Sequence, residues 1–187
     1  LSNGSVQLWF RASGNGFEQI LIKSVDGVHW AIGSHVEGTF ENTTGQTIAL
    51  SYVATNGEGI NGNNWDYLTY DNVISNDLYH VIITRENDTG TIKMYVNGIL
   101  ADENTNATPG SPISNSSSLL LGTHNGSSGW LNGHADELAI WDNTLSASEI
   151  TALYNSGLGL PASSNTGAYT SSSYLQGYWE FNAGVGS

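Results

Sequence analysis

Cysteine is absent from these 187 residues, which excludes disulfides, thiolate metal sites and a cysteine nucleophile. Positive charge is nearly absent too. Only Arg11, Lys23, Arg85 and Lys93 oppose seventeen acids, for a formal net charge of −13. Charged residues of both signs make up 11% of the chain, against about 25% in ordinary domains. Nucleic acid and anionic lipid are therefore excluded as partners, because phosphate binding needs clustered Lys and Arg. No apolar run approaches the ~20 residues of a membrane-spanning helix, so membrane insertion is not expected. There is no initiator methionine and no signal peptide, and "LSNGSVQLWF" opens almost directly on a strand. Such a start is expected of a piece of a longer protein.

What is present is Asn, Ser, Thr and Gly, which cover the surface in place of charge. An acidic, lysine-poor surface suits a high-salt or extracellular setting, and it suits divalent cations. Simple solubility through negative charge accounts for it equally well. The length allows a core without staples, since a domain of this size buries roughly 70% of its unfolded surface.

Apolar residues recur with period two. "SVQLWFRA" sets Val6, Leu8 and Phe10 against Gln7, Trp9 and Arg11. "QILIKS", "VHWAIGS", "TIALSYVAT", "YHVIITRE", "TIKMYV", "ILADE", "SSLLLGTH" and "HADELAIW" follow the same rule. "NDTG" closes one hairpin, and Asn97-Gly98 suits a type I′ turn, which needs positive φ at both central positions. Many short strands with Gly and Asn punctuation predict an all-β, two-sheet antiparallel sandwich. One short helix is expected in "NTLSASEITALYNSG". There Ser146 and Glu149 form a capping box, Leu145 and Ile150 a hydrophobic staple, and Gly157 a stop. The sandwich is expected to occupy residues 1–157. Residues 158–174, rich in Ser, Gly, Thr and Asn, predict a flexible linker. Residues 175–187, "LQGYWEFNAGVGS", predict an isolated strand carrying Tyr178, Trp179 and Phe181.

No catalytic constellation emerges, and an enzyme is not expected. Asp136-Glu137 and Asp102-Glu103 are adjacent pairs, and neighbours on a strand point to opposite faces. No E-x-D-x-x-E run, nucleophile elbow or zinc spacing of the five histidines is present. A hard cation such as Ca²⁺ is the better metal expectation, with Asp136 the best single ligand. The bland alternative is an Asp that caps its own turn. Carbohydrate sites stack sugars on exposed aromatics and bind hydroxyls through polar groups. "NGNNWDYLTYDN" offers Trp65, Asp66 and Tyr67, and "THNGSSGWLNG" offers Trp130. Trp65 is the most loop-like of these. Trp9, Trp30, Trp141 and Trp179 lie within strands and are expected to be packing. Six Asn-x-Ser/Thr sequons, at Asn3, Asn42, Asn87, Asn106, Asn115 and Asn125, are few enough to arise by chance in this composition.

Three stretches resemble one family. "LYHVIITRENDTGTIKMYVNGIL" is similar to the central hairpin of laminin-G-like, concanavalin A-like jelly rolls. "GWLNGHADELAIWDNTLSASEITALYNSG" resembles their C-terminal signature, and "SVQLWFRA" their early strand. Tyr79 stands where that family usually has Trp, and Ala135 where it has Ile. The resemblance implies a jelly roll that is often calcium-bound and often non-catalytic, serving to bind glycans or proteins or to act as a spacer. It implies a calcium role for Asp136. "LQGYWEFNAGVG" resembles the family's opening strand, with Asn182 in place of an Asp, which adds Asn182 as a second candidate ligand. That resemblance favours placing residues 175–187 in a sandwich other than their own, the next repeat or an adjacent copy, with closure of their own sandwich as the alternative.

Two functions follow as expectations. The first is an adhesion or carbohydrate-binding module, one repeat of a larger cell-surface or virion protein, with a glycan or surface protein as partner. The second is a structural repeat that joins other copies of itself into a filament or fibre by exchanging the strand around Tyr178, Trp179 and Phe181.

Overall fold

The computed structural model describes residues 3–13, 18–25, 28–36, 48–56, 65–105 and 118–182. Eleven strands carry the fold. They are β1 (Asn3–Ala12), β2 (Glu18–Val25), β3 (Val28–Val36), β4 (Ile48–Asn56), β5 (Trp65–Val73), β6 (Tyr79–Glu86), β7 (Thr91–Val96), β8 (Ile99–Asn104), β9 (Leu119–Leu121), β10 (Gly133–Trp141) and β11 (Leu175–Trp179). Their antiparallel pairing builds one sheet in the order β11-β10-β1-β6-β7-β8 and a second in the order β5-β4-β3-β2-β9. This is the expected two-sheet sandwich. The hairpin turn between β7 and β8 has positive φ at both central residues, 51° at Asn97 and 77° at Gly98, as a type I′ turn requires. Asn97 also accepts a 3.0 Å hydrogen bond from the His80 backbone, which ties the turn to β6.

The core lies where the alternation places it. Leu8 and Phe10 of β1, Val81 of β6 and Met94 of β7 meet Ile32 of β3 and Leu68 of β5 between the sheets. The outward face of the six-stranded sheet is not solvated, however. Ile82, Tyr95, Ala139 and Trp141 point there and pack beneath α1 (Ala147–Tyr154) and the segment that follows it. The molecule therefore has a third layer and a second apolar core.

The helix is framed much as expected. Ser146 caps it, and the reciprocal Ser146–Glu149 capping box is complete. Its C-cap is Asn155 in the left-handed region, two residues before the Gly157 stop that composition suggests.

Three expectations are corrected. Trp65, Asp66 and Tyr67 belong to a strand, not a loop, because β5 pairs along β4 from Thr55 onward. Residues 158–174 are not a flexible linker. Ala162 and Tyr169 are fully buried in the second core, where the Tyr169 hydroxyl accepts from Trp141 Nε1 at 2.8 Å and donates to the Ala162 carbonyl at 2.7 Å. The segment is a strap over the sheet, packed against it through Leu160, Ala162 and Tyr169. Finally, β11 joins its own sandwich. It pairs with β10, Ala139 opposite Tyr178 and Leu138 opposite Trp179, because the strap returns the chain to that edge.

Candidate functional site

Trp130 sits in a loop between β9 and β10 that is braced from within and from behind. His124 N–H donates to the Ser128 carbonyl at 2.9 Å, and Leu131 N–H to the Gly122 carbonyl at 2.9 Å. Thr123 lies at the loop's centre, its hydroxyl donating to the Ser128 carbonyl and accepting from Gly126 N–H, both at 3.0 Å. Asn125 accepts from the backbone and side chain of Ser127. The loop is anchored to the sandwich by Gln19 N–H on the Gly129 carbonyl and Ser13 N–H on the Asn132 carbonyl. The Trp130 side chain nonetheless remains 59% exposed. A large apolar ring held out on an ordered loop has little conformational entropy left to lose on binding.

The β5 candidates are placed by backbone only. Trp65, Asp66 and Tyr67 pair with Thr55, Ala54 and Val53, and their side chains lie outside what is described. The structure does not place them beside the Trp130 loop.

A second feature lies on the outward face of the six-stranded sheet, at the edge of the strap. The β1–β10 register jumps from Trp9–Asp136 to Gln7–Ala139, so Glu137 and Leu138 together oppose Leu8. This is a β-bulge, and Glu137 takes a φ of 53° within it. Asp136 caps the bulge, its Oδ1 accepting from Glu137 N–H at 2.9 Å. The consequence corrects the argument from alternation. Asp136 and Glu137 do not diverge but both line one cleft of about 340 Å³. Trp9, Leu158 and Pro161 are among its apolar walls.

The Glu137 carboxylate accepts a hydrogen bond from the Tyr178 hydroxyl on β11. Burial raises the Glu137 carboxyl above its ordinary pKa. The Tyr178 bond opposes that shift, and the neighbouring Asp136 and Glu180 charges add to it. The Tyr178 hydroxyl is pushed up in turn, first by burial and then by Glu137.

Asp136 and Asn182, the expected calcium ligands, each make a local hydrogen bond. Ca²⁺ takes about six to eight oxygens. Among the described residues no group of three or more His, Asp or Glu side chains is close enough to hold an ion. Asp136 spends one oxygen on the bulge, and the exposed Asn182 donates its amide to Glu180 at 3.1 Å.

The aromatics of the last strand separate. Tyr178 turns into the second core, while Trp179 and Phe181 are 44% and 48% exposed, so Trp179 is not the packing residue that its strand position suggests. Gly177 makes room for the Trp179 indole, since a Cβ there would lie 2.4 Å from its ring. The Glu137–Tyr178 pair escapes sequence reasoning because nothing local announces a bulge between β1 and β10.

The family described as the concanavalin A-like lectin/glucanases superfamily, Laminin_G_3, matches residues 1–151. No curated protein matches the chain. Among solved structures, a putative carbohydrate binding protein from Bacteroides ovatus superposes with a TM-score of 0.67 at 17% identity, covering 98% of this chain and 46% of that one. A native heptameric SAP-like pentraxin from Limulus polyphemus gives 0.63 at 15% identity, over 82% of this chain and 70% of that one. The CBM40 of a Ruminococcus gnavus sialidase, bound to α2,3 sialyllactose, gives 0.62 at 17% identity, over 81% and 82%. At these identities the likeness is one of fold. The chain spans less than half the length of the Bacteroides protein.

Proposed function

The chain belongs to the concanavalin A-like lectin/glucanases superfamily, and from that premise we propose that it is a non-catalytic carbohydrate-binding module. The observation that carries the proposal is Trp130, 59% exposed on a loop braced by its own hydrogen bonds. Sugar rings stack on such a surface, and the surrounding Asn, Ser and backbone groups meet hydroxyls. The carbohydrate binding named for the Bacteroides and Ruminococcus structures supports the same class of ligand. An acidic surface nearly free of Lys favours a neutral glycan over a sulfated one. As part of the proposal, the module serves as one repeat of a larger extracellular, cell-surface or virion protein.

A glycan array tests this, run in calcium-containing buffer and again with chelator. Binding to a defined group of glycans, reduced about tenfold or more in Trp130→Ala, is the expected result. No binding across a broad array in calcium would sink the proposal. Calcium has no part in the mechanism drawn from Trp130, so binding should survive chelation. Loss of binding with chelator would point instead to a calcium-dependent site, with Asp136 as the candidate ligand.

A further inference from the structure

The cleft at the bulge is built differently from the Trp130 loop. It is lined by apolar side chains together with two carboxylates, Asp136 and Glu137. Asp136 and Glu137 make no ion pair among the described residues, and Glu180 lies close enough to repel Glu137. Beneath them Gln7, almost fully buried, gives its Nε2 to the Glu137 carbonyl at 3.3 Å and leaves its Oε1 without a donor. Negative charge thus gathers at this cleft. The basic groups nearby, Arg11 and His134, line an adjoining recess that shares Trp9, Leu78 and Asp136 with the cleft but does not include Glu137.

The rim is apolar and prominent. Leu158 is 85% exposed and Leu78 49% exposed, and both line the cleft. A bare ammonium ion would leave both uncovered. An aliphatic stem ending in an ammonium would match wall and carboxylates together, and the surface that carries the stem would cover the rim. From this charge complementarity we infer that the cleft receives a lysine side chain presented by a protein partner. The ammonium sits between Asp136 and Glu137, and the stem lies along Trp9, Leu160 and Pro161. The chain itself carries net charge −13, so it draws basic partners generally, and the cleft gives that attraction an address. This site is separate from Trp130, and its failure would leave the glycan proposal untouched.

The test is an NMR titration of the isotopically labelled whole chain with N-acetyl-Gly-Lys-Gly-amide. Its norleucine counterpart, which keeps the stem and lacks the charge, and glucosamine serve as comparison probes. Saturable shifts are expected at the Trp9 indole N–H and at the Glu137 and Gly159 amides. Affinity should fall about tenfold or more for the norleucine peptide, and likewise in the Asp136→Asn, Glu137→Gln double variant. Both replacements keep an acceptor oxygen for the bulge and for Tyr178. Should the double variant lose its dispersed spectrum, Leu158→Ser decides the matter. That side chain is exposed, and its loss should weaken the lysine peptide several-fold without changing the melt. The inference is overturned by absent shifts, by equal binding of the norleucine peptide, by shifts that map elsewhere, by tighter binding of glucosamine, or by a Leu158→Ser variant that binds unchanged.

Discussion

His80 is fully buried in the second layer, and neither ring nitrogen has a hydrogen-bond partner among the described residues. What it has is aromatic company: Trp9 at 4.7 Å and Tyr154 at 5.8 Å between ring centroids. Burial lowers its pKa from 6.5 to about 3. The unfolded chain therefore takes up this proton first as the solution is acidified. The stability tied to neutral His80 is full above pH 6.5 and is lost progressively as pH falls toward 3. His80→Phe keeps the ring stack and removes two unpaired polar atoms. Urea denaturation at pH 7 should find the variant more stable by about 1 kcal/mol, with a larger advantage at pH 4. A variant less stable than the parent at both pH values would mean that the imidazole makes a bond not accounted for here. Trp130 and Trp65 carry the matching lesson about legibility. Both stand beside Asn and Gly and look alike as sequence, yet one opens a paired strand and the other crowns a loop. Backbone pairing over a distance separates them, and no local pattern encodes it.

Glu149 joins two elements. Its Oε2 completes the capping box with Ser146. Its Oε1 accepts from Thr170 N–H and Oγ1, both at 3.2 Å, and from the Ser171 hydroxyl at 2.5 Å, which fastens the strap to the start of α1. Burial pulls its pKa up, but the hydrogen bonds from Ser171, Ser146 and Thr170 outweigh it and hold the carboxyl at about 2. A depressed carboxyl contributes stability that is complete above the unfolded value near 4.5 and is lost as pH falls toward 2. Glu149→Gln should lose about 1–3 kcal/mol at pH 7. The difference between variant and parent should shrink between pH 4.5 and 2, read from denaturant midpoints across that range. A gap that stays constant across that range would show the carboxylate to be dispensable as a charge. The capping box was plain in the sequence because its partners sit three residues apart. The strap's anchors were not, since Glu149 and Ser171 meet across 22 residues. Alternation likewise located most strands, but it could not tell a solvated outer face from one roofed by a strap. In β6 every residue from Tyr79 to Arg85 is buried, on both faces.

At the scale of the whole molecule, the chain closes on itself through its last strand. β11 lays Leu175 and Tyr178 against the second core and continues the six-stranded sheet beyond β10. Deleting residues 175–187 removes that contact, together with the Tyr178 bond to Glu137. The burial lost amounts to roughly 3 kcal/mol, which lowers the melting temperature by about 6–12 °C in a domain of this size. A truncated protein that melts at the parent's temperature would argue that the strand belongs elsewhere. The family resemblance made the sandwich legible in advance. It left the third layer unseen, and with it the cleft, because both arise where the strap meets the sheet. The central claim is that this sandwich binds a glycan through the Trp130 loop. Its most direct test is calorimetric titration of the best array glycan into the parent chain and into Trp130→Ala, with melting curves of both. Affinity lost by about tenfold or more at an unchanged melting temperature is the predicted result. Equal affinity in the two proteins would contradict it.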